Sequence, residues 1–306
     1  MEPNRDFFVA LMAELRGLDF KIQELKGGIT NKLYRVRAQD GKDYIFRLYG
    51  QKTELFIDRD TEAENLRRMT PSGVAPQLIK YLPEENTTIV ELIPGYVLKN
   101  PDFLREELWE LIIRPIKRIH QSGATLPNIF DPLIEVKRLH KILEDINPDY
   151  PEFDLHGTIQ VLEKISNLVS LSHSRYLPCH NDLLADNFIL SEDRKRFPEP
   201  MYLIDWEYAG MAPAYYDMAD MFQEILVPRE VERKLLMIYW EDEDLDHNQY
   251  ITNLFKPFPD IYWFLWSLIQ LNISTIRFDY YNYGKTKYEN AQKNIRHLID
   301  DYNVKI

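Results

Sequence analysis

The sequence predicts an α+β chain of two lobes: a small β-rich lobe at residues 1–92, a short hinge at 93–97 and a larger, mainly helical lobe at 98–306. Three observations point there. Short β-like runs separated by turn signals crowd the first third of the chain, and Pro94-Gly95 interrupts it. Beyond that break apolar residues recur at helical spacing, with one return to strand-like sequence.

Phe7, Leu11, Leu15 and Leu18, three or four apart, predict an opening helix. A strand ending at Leu25 follows, then Lys32–Ala38 and Tyr44–Tyr49. Gly27-Gly28 punctuates the first gap and Asp40-Gly41 gives a hairpin signal in the second. Asp58–Met69 reads as a charged helix entered from an Asp cap. Strand-like segments around Gln77–Tyr81 and Thr87–Leu92 complete the small lobe. In the large lobe Leu104, Leu108, Leu111, Ile112, Ile116 and Ile119 form a helical stripe that Pro115 should bend. Thr158–Leu171 is a second amphipathic run. Then come LPCHNDLLADNFIL and MYLIDWEYAG, separated by the polar turn SEDRKRFPEP, and from Tyr215 onward the pattern is helical.

Composition narrows the function. The chain sets 37 Lys+Arg against 49 Asp+Glu, a formal charge of −12, which repels polyanions and favours a cationic small molecule over nucleic acid. Cys179 is the single cysteine, so an intrachain disulfide framework and a Cys-rich zinc site are excluded and a reducing compartment fits. His120, His140, His156, His173, His247 and His297 show no metal-ligand spacing. The acidic start lacks a basic flank leading into an apolar core, so no secretory signal is expected. The longest apolar stretch, Ile261–Ile269, falls far short of the roughly 20 residues that cross a bilayer. A cytoplasmic protein without membrane insertion is the expectation.

The chemistry concentrates at His180–Asn187 (HNDLLADN), followed 18 residues after that Asn by Asp205 in IDWE. Phosphoryl transfer needs a carboxylate to orient and deprotonate the attacking hydroxyl, and oxygen ligands for Mg²⁺. Asp182 and Asn187 match that spacing of base and metal ligand, and Asp205 stands where a strand delivers a second metal carboxylate. Upstream, GGITNKLY joins two predicted strands, so Gly28, Thr30, Asn31 and Lys32 can bring backbone and small polar groups to phosphate oxygens. Arg47, between Phe46 and Leu48, stands where protein kinases hold a phosphate-binding lysine paired to a helix glutamate. Glu62 is the candidate partner and Glu64 its competitor, since the sequence does not fix the helical register. Cys179 and His180 are neighbours in a strand and point to opposite faces, against a Cys–His nucleophile.

Together GGITNKLY, the FRLYG strand, HNDLLADN, IDWEYAG and the run WFLWSLIQLNIS resemble the choline/ethanolamine kinase family. This is a branch of the aminoglycoside-phosphotransferase-like, protein-kinase-like two-lobe fold. The resemblance covers about Glu24 to Tyr283 and carries no motif over 126–177. It implies ATP and Mg²⁺, with Asp182 as base, Asn187 and Asp205 as metal ligands, and Glu207 assisting the metal or orienting its loop. Ile93 and its neighbours, Glu91 among them, would form the adenine-binding hinge. Trp263 and Trp266, three apart on one helix face, match pocket tryptophans. Tyr208 and Tyr283 would be further walls, Tyr280 and Tyr281 competing with Tyr283, and Glu224 a pocket carboxylate.

Such a cage suits the quaternary ammonium of choline, which aromatic faces can hold. The implied reaction is phosphorylation of choline to phosphocholine, feeding phospholipid or surface-phosphocholine synthesis. Ethanolamine, another small-molecule substrate such as an aminoglycoside, and a non-catalytic nucleotide-binding role are the alternatives; monomer and homodimer stay open. Asp217 is expected to brace the catalytic loop and His180 to pack and hydrogen-bond. Asp220 is expected to be exposed or capping, and Glu241–Asp246 to be a solvated loop.

Overall fold

In the computed structural model, which describes residues 3–25, 31–50, 53–146, 150–171, 175–241 and 244–305, the opening helix is short. Helix α1 (Arg5–Leu11) starts where Asn4 accepts the Phe7 N–H and ends at Met12, whose backbone is extended. The helix expected to reach Leu18 is therefore cut, and a single 3₁₀ turn carries Leu15 into the core. The reversal lets Arg5 bond the carbonyl of Phe20 at 3.1 Å, which a straight helix would carry out of reach.

Strands β1 (Phe20–Leu25), β2 (Asn31–Ala38), β3 (Asp43–Tyr49), β4 (Leu78–Leu82) and β5 (Thr87–Glu91) form one sheet ordered β1-β2-β3-β5-β4, every pair antiparallel. Side chains alternate across it. Tyr34 pairs with Phe46, and both meet Phe8 of α1 edge-on at 5.5 and 5.1 Å. Arg47, one residue on, therefore faces the other side. There lies α2 (Arg59–Met69), started by Asp58 accepting the N–H groups of Asp60 and Thr61. Leu66 and Met69 of α2 sink into a core shared with Leu98, Phe103, Ile112 and Ile116, so the inner face of this sheet is tied to the large lobe.

After the small lobe, β6 (Gly95–Val97) pairs with β8 (Phe188–Ser191), which pairs with β9 (Met201–Leu203). A Cβ on Gly95 would stand 2.2 Å from the Leu190 carbonyl oxygen, so only glycine lets the strands approach this closely. Helix α3 (Glu106–His120) runs through Pro115 without ending there. Helices α4 (Pro132–Ile146) and α5 (Leu155–Leu171) precede β7 (Tyr176–Cys179), which pairs with β10 (Gly210–Pro213). Helices α6 (Ala214–Ile225), α7 (Arg229–Trp240), α8 (Leu245–Phe255), α9 (Pro257–Ile273) and α10 (Tyr280–Tyr302) complete the lobe.

Helix α9 is buried at every position from Pro257 to Gln270, which makes it the central rod of this lobe. Helix α10 lies against it at Gly284, where a Cβ would come 1.9 Å from Ser267 Oγ. Among the described residues no helix is long and apolar enough to cross a membrane.

Candidate active site

The loop between β7 and β8 is held from below by one buried carboxylate. Asp217 of α6 accepts the backbone N–H of His180 at 2.9 Å on one oxygen and that of Asn181 at 2.6 Å on the other. His120 Nε2 lies 2.8 Å from the same carboxylate, and its Nδ1 is 2.6 Å from the Tyr239 hydroxyl. Asn181 takes a left-handed backbone, φ +63°, and its amide donates to the Tyr208 carbonyl at 3.0 Å. The left-handed conformation, next to Asp182, is thus held by two hydrogen bonds. His180 sets Nε2 at 2.9 Å from the Ile204 carbonyl and packs on Trp206, so it ties the loop to the segment that carries Asp205.

Asn187 follows in a single 3₁₀ turn, Ala185–Asn187. Its amide nitrogen donates to the Asp182 carbonyl at 2.9 Å and to the Asp182 carboxylate at 3.1 Å, which turns the amide oxygen the opposite way. Asp182 is 6% exposed. Burial, reinforced by Asp220, Asp205, Glu224 and Glu207, pushes its carboxyl well above the ordinary aspartate range. A carboxyl so placed gains a proton readily, as a general base must.

Asp205 leaves β9 with φ +67° and meets Arg47 in an ion pair. Arg47 also pairs with Glu62 at 2.6 Å and Glu207 at 3.3 Å. Glu64 instead points outward and pairs with Arg67 and with Arg68. A second guanidinium joins the cluster. Arg59 pairs with Glu62 at 2.6 Å and Glu207 at 3.1 Å, donates to Asn31 and Thr53 at 3.1 Å each, and lies 4.2 Å from the Tyr49 ring centroid. Asn31 in turn donates to Glu207 at 3.2 Å.

Carboxylate oxygens of Glu62, Asp205 and Glu207 lie within 4.8 Å of one another. An all-oxygen donor set of this kind fits a hard divalent cation such as Mg²⁺, and Asn187 is tied to the same segment, its backbone carbonyl accepting the Ile204 N–H at 3.0 Å. His120, Cys179 and Asp217 also converge within 4.8 Å. Both nitrogens of His120 have partners, however, and the Cys179 thiol donates to the Ala212 carbonyl, so that trio is a structural brace.

Behind the loop stands an aromatic box. Tyr208 meets Trp263 at 5.0 Å and 85°, Trp263 meets Trp266 at 5.9 Å and 80°, and Trp266 meets Tyr283 at 6.4 Å and 78°. Their planes are near-perpendicular, so the rings meet edge to face and form corners rather than a stack. Of the α10 tyrosines, Tyr281 reaches Glu152 at the surface, while Tyr280 and Tyr283 both pack on Trp266, and Tyr283 also turns toward Glu224. Its hydroxyl donates to Glu224 at 3.4 Å. Asp220, expected to be exposed or capping, is fully buried: it accepts the Leu183 N–H at 2.7 Å and the Trp263 indole N–H at 2.9 Å. Every face of α6 is covered, so a polar residue there need not reach solvent.

Of the nucleotide-site residues expected, Gly28 and Thr30 lie outside the described residues, while Lys32 is exposed on β2. The Glu91 carboxylate pairs with Arg196 at 3.0 Å. Ile93 is buried against Ile189, Phe197 and Tyr202, so its side chain floors the hinge. Arg59, Asp220, Asp260 and Lys287 escaped the sequence reading. Helical spacing held the clue: Arg59 is three residues before Glu62, Asp220 four before Glu224, and Lys287 four after Tyr283.

Residues 22–251 match the family described as choline/ethanolamine kinase. Among curated proteins, mouse ethanolamine kinase 2 is 29% identical over 299 residues, covering 88% of this chain and 74% of its own. Mouse ethanolamine kinase 1 is 28% identical, covering 93% and 87%. Among solved structures, choline kinase LicA from Streptococcus pneumoniae superposes with a TM-score of 0.80 at 24% identity, over 95% of this chain and 98% of that one.

Proposed function

The chain belongs to the choline/ethanolamine kinase family and is a phosphotransferase with an alcohol acceptor on a protein-kinase-like fold; we propose that its donor is ATP and its preferred acceptor choline. The observation that carries the choice of alcohol is the state of the carboxylates around the aromatic box. Both oxygens of Asp220 accept N–H groups, from Leu183 and Trp263, while Glu224 is neutralised at Oε1 by Lys287 and Tyr283, and Asp260, with no solvent exposure, accepts from Asn294 at 3.1 Å on one oxygen. A primary ammonium brings three N–H donors that each want an acceptor. A trimethylammonium brings none and takes its binding from ring faces, about 0.5–2 kcal/mol each. Tyr208, Trp263, Trp266 and Tyr283 supply the faces.

The chemistry then divides among named groups. Asp182 orients the alcohol O–H and accepts its proton as the oxygen bonds to the γ-phosphorus, while the bond to the β-phosphate oxygen breaks and ADP leaves. Asn187, Asp205 and Glu207 would hold Mg²⁺, which, when bound, neutralises charge on the phosphates. Arg47 and Arg59, held by Glu62, present two fixed cations to the triphosphate, with Asn31 beside them; Lys32, paired with Leu48, stands on the opposite face of the sheet with Tyr34 and Phe46. The hinge at Glu91–Ile93 would receive the adenine through its backbone. Positioning and charge neutralisation carry most of the acceleration in such a site.

Ethanolamine is the second reading, favoured by the names of the curated relatives. Phosphorus NMR of products from an equimolar mixture of choline and ethanolamine with Mg·ATP separates the two. A phosphocholine signal that grows first supports the proposal, and phosphoethanolamine growing first favours the second reading. ATP consumed with neither product formed overturns both.

A further inference from the structure

Lys287 is the one lysine ammonium among the described residues that touches the aromatic box and its carboxylates together. Its side chain is 6% exposed. Nζ stands 2.6 Å from Glu224 Oε1, 2.7 Å from the Gln223 carbonyl, 3.9 Å from Asp260 Oδ1 and 5.7 Å from the Tyr283 ring centroid. The Gln223 carbonyl belongs to the last turn of α6, where carbonyls lack helical partners and a cation is favoured. Burial opposes the charge on Lys287, but Glu224 and Asp260 outweigh it and keep the ammonium protonated. A carboxylate, a carbonyl and a ring face are what a bound ammonium ligand would need, and here the protein provides its own.

We propose that Lys287 is a positioning residue that sets substrate choice: by pairing with Oε1 of Glu224 it neutralises the charge of that carboxylate and turns one oxygen away from the substrate, so the substrate's cation is read by ring faces more than by hydrogen bonds. The inference rests on the amino-alcohol reading given above. With Lys287 removed, both alcohols feel the freed negative charge, but only a primary ammonium can donate N–H to it. The preference therefore swings toward ethanolamine. A charge-assisted hydrogen bond gained by one alcohol alone corresponds to about tenfold or more in relative kcat/KM, expressed mainly in KM.

The test compares wild type with Lys287→Met, with Glu224→Gln, and with the double variant. Each is assayed for kcat and KM on choline and ethanolamine. Each is also titrated with tetramethylammonium and methylammonium chloride, read by tryptophan fluorescence. Lys287→Met should shift both the kcat/KM ratio and the cation preference toward the primary amine by about tenfold or more. The double variant, with neither charge, should return to the wild-type preference, and Glu224→Gln alone should weaken both alcohols together. A folded Lys287→Met protein with unchanged ratios overturns the inference, because a purely structural bolt would weaken both alcohols equally. So does a Glu224→Gln variant that loses ethanolamine selectively, a result that stays decisive even where Lys287→Met fails to fold. Wild type inactive on both alcohols, with the fluorescence preference still swinging, would sink the amino-alcohol reading and leave the role of Lys287 standing.

Discussion

Asp217→Asn removes one charge and one acceptor from the base of the catalytic loop and leaves its shape intact. The aspartate has no solvent exposure and receives the His180 N–H on one oxygen, the Asn181 N–H on the other, and His120 beside them. An asparagine has a single oxygen, so whichever way it turns, its NH₂ faces a backbone N–H. The loss is a charge-assisted hydrogen bond, about 1.5–3 kcal/mol, and a buried donor left without a partner, roughly 1–3 kcal/mol. Together they predict a loss near 3–5 kcal/mol, the usual size for breaking a buried charged pair.

Where the NH₂ faces Asn181, the backbone hydrogen bond that helps hold its left-handed conformation is the one lost. Asp182 then shifts, and kcat should fall about 100-fold for a displacement near 1 Å, with KM for ATP much less affected. Urea denaturation followed by circular dichroism reads the stability, and steady-state kinetics reads the loop. The pH dependence gives a further check. Burial alone would raise the Asp217 carboxyl, but His120 and the His180 N–H more than compensate and hold it below the ordinary range. A depressed carboxyl stabilises the fold above its unfolded pKa, about 3.9, and that stability is lost as pH falls through the folded value. The gap between wild type and Asp217→Asn should therefore be widest at neutral pH and close in acid. Equal stability at pH 7, or a gap unchanged in acid, would refute the reasoning.

Other substitutions probe the rest of the site. Asp182→Asn keeps the contact with Asn187 but should abolish turnover; because the raised carboxyl is costly once ionised, the variant should also melt a few degrees higher at pH 8. That gain should vanish below about pH 4, where both states of the wild type are protonated, and scanning fluorimetry at the two pH values checks it. Arg59→Met takes one of two cations from Glu62 and Glu207, and should raise KM for ATP about tenfold while barely changing KM for the alcohol; ADP titration by calorimetry gives an independent measure. Gly284→Ala drives a methyl toward Ser267 Oγ and should cost about 1–3 kcal/mol. It should also raise KM for the alcohol, since α10 carries Tyr283, and a second change, Ser267→Ala, should recover part of both.

The sequence made the catalytic loop legible because its chemistry is local. Asp182 and Asn187 lie five residues apart and touch directly, and Asp205 begins the next turn but one. The strands were legible for the same reason, since Asp40-Gly41 and the alternation of Tyr34, Val36 and Ala38 act over short range. What escaped depends on which helix faces meet. Nothing near Asp220 announces that α6 is enclosed on all sides, and a polar residue three after Asp217 looks solvated. Arg59 and Lys287 read as ordinary surface charges until α2 is set against β3 and α10 against α6 and α9. Spacing alone overextends the opening helix, because Leu15 keeps helical spacing although the backbone has already turned at Met12. Glu62 and Glu64 could be told apart only once Leu66 and Met69 set the buried face of α2.

The most direct test of the central claim is ADP release from Mg·ATP with choline or ethanolamine, in wild type and in Asp182→Asn side by side. Release that requires the amino alcohol, is faster with choline and disappears in the variant is the expected result. Release indifferent to either alcohol, or equal in the variant, would contradict the assignment of Asp182 as the base of an amino-alcohol kinase.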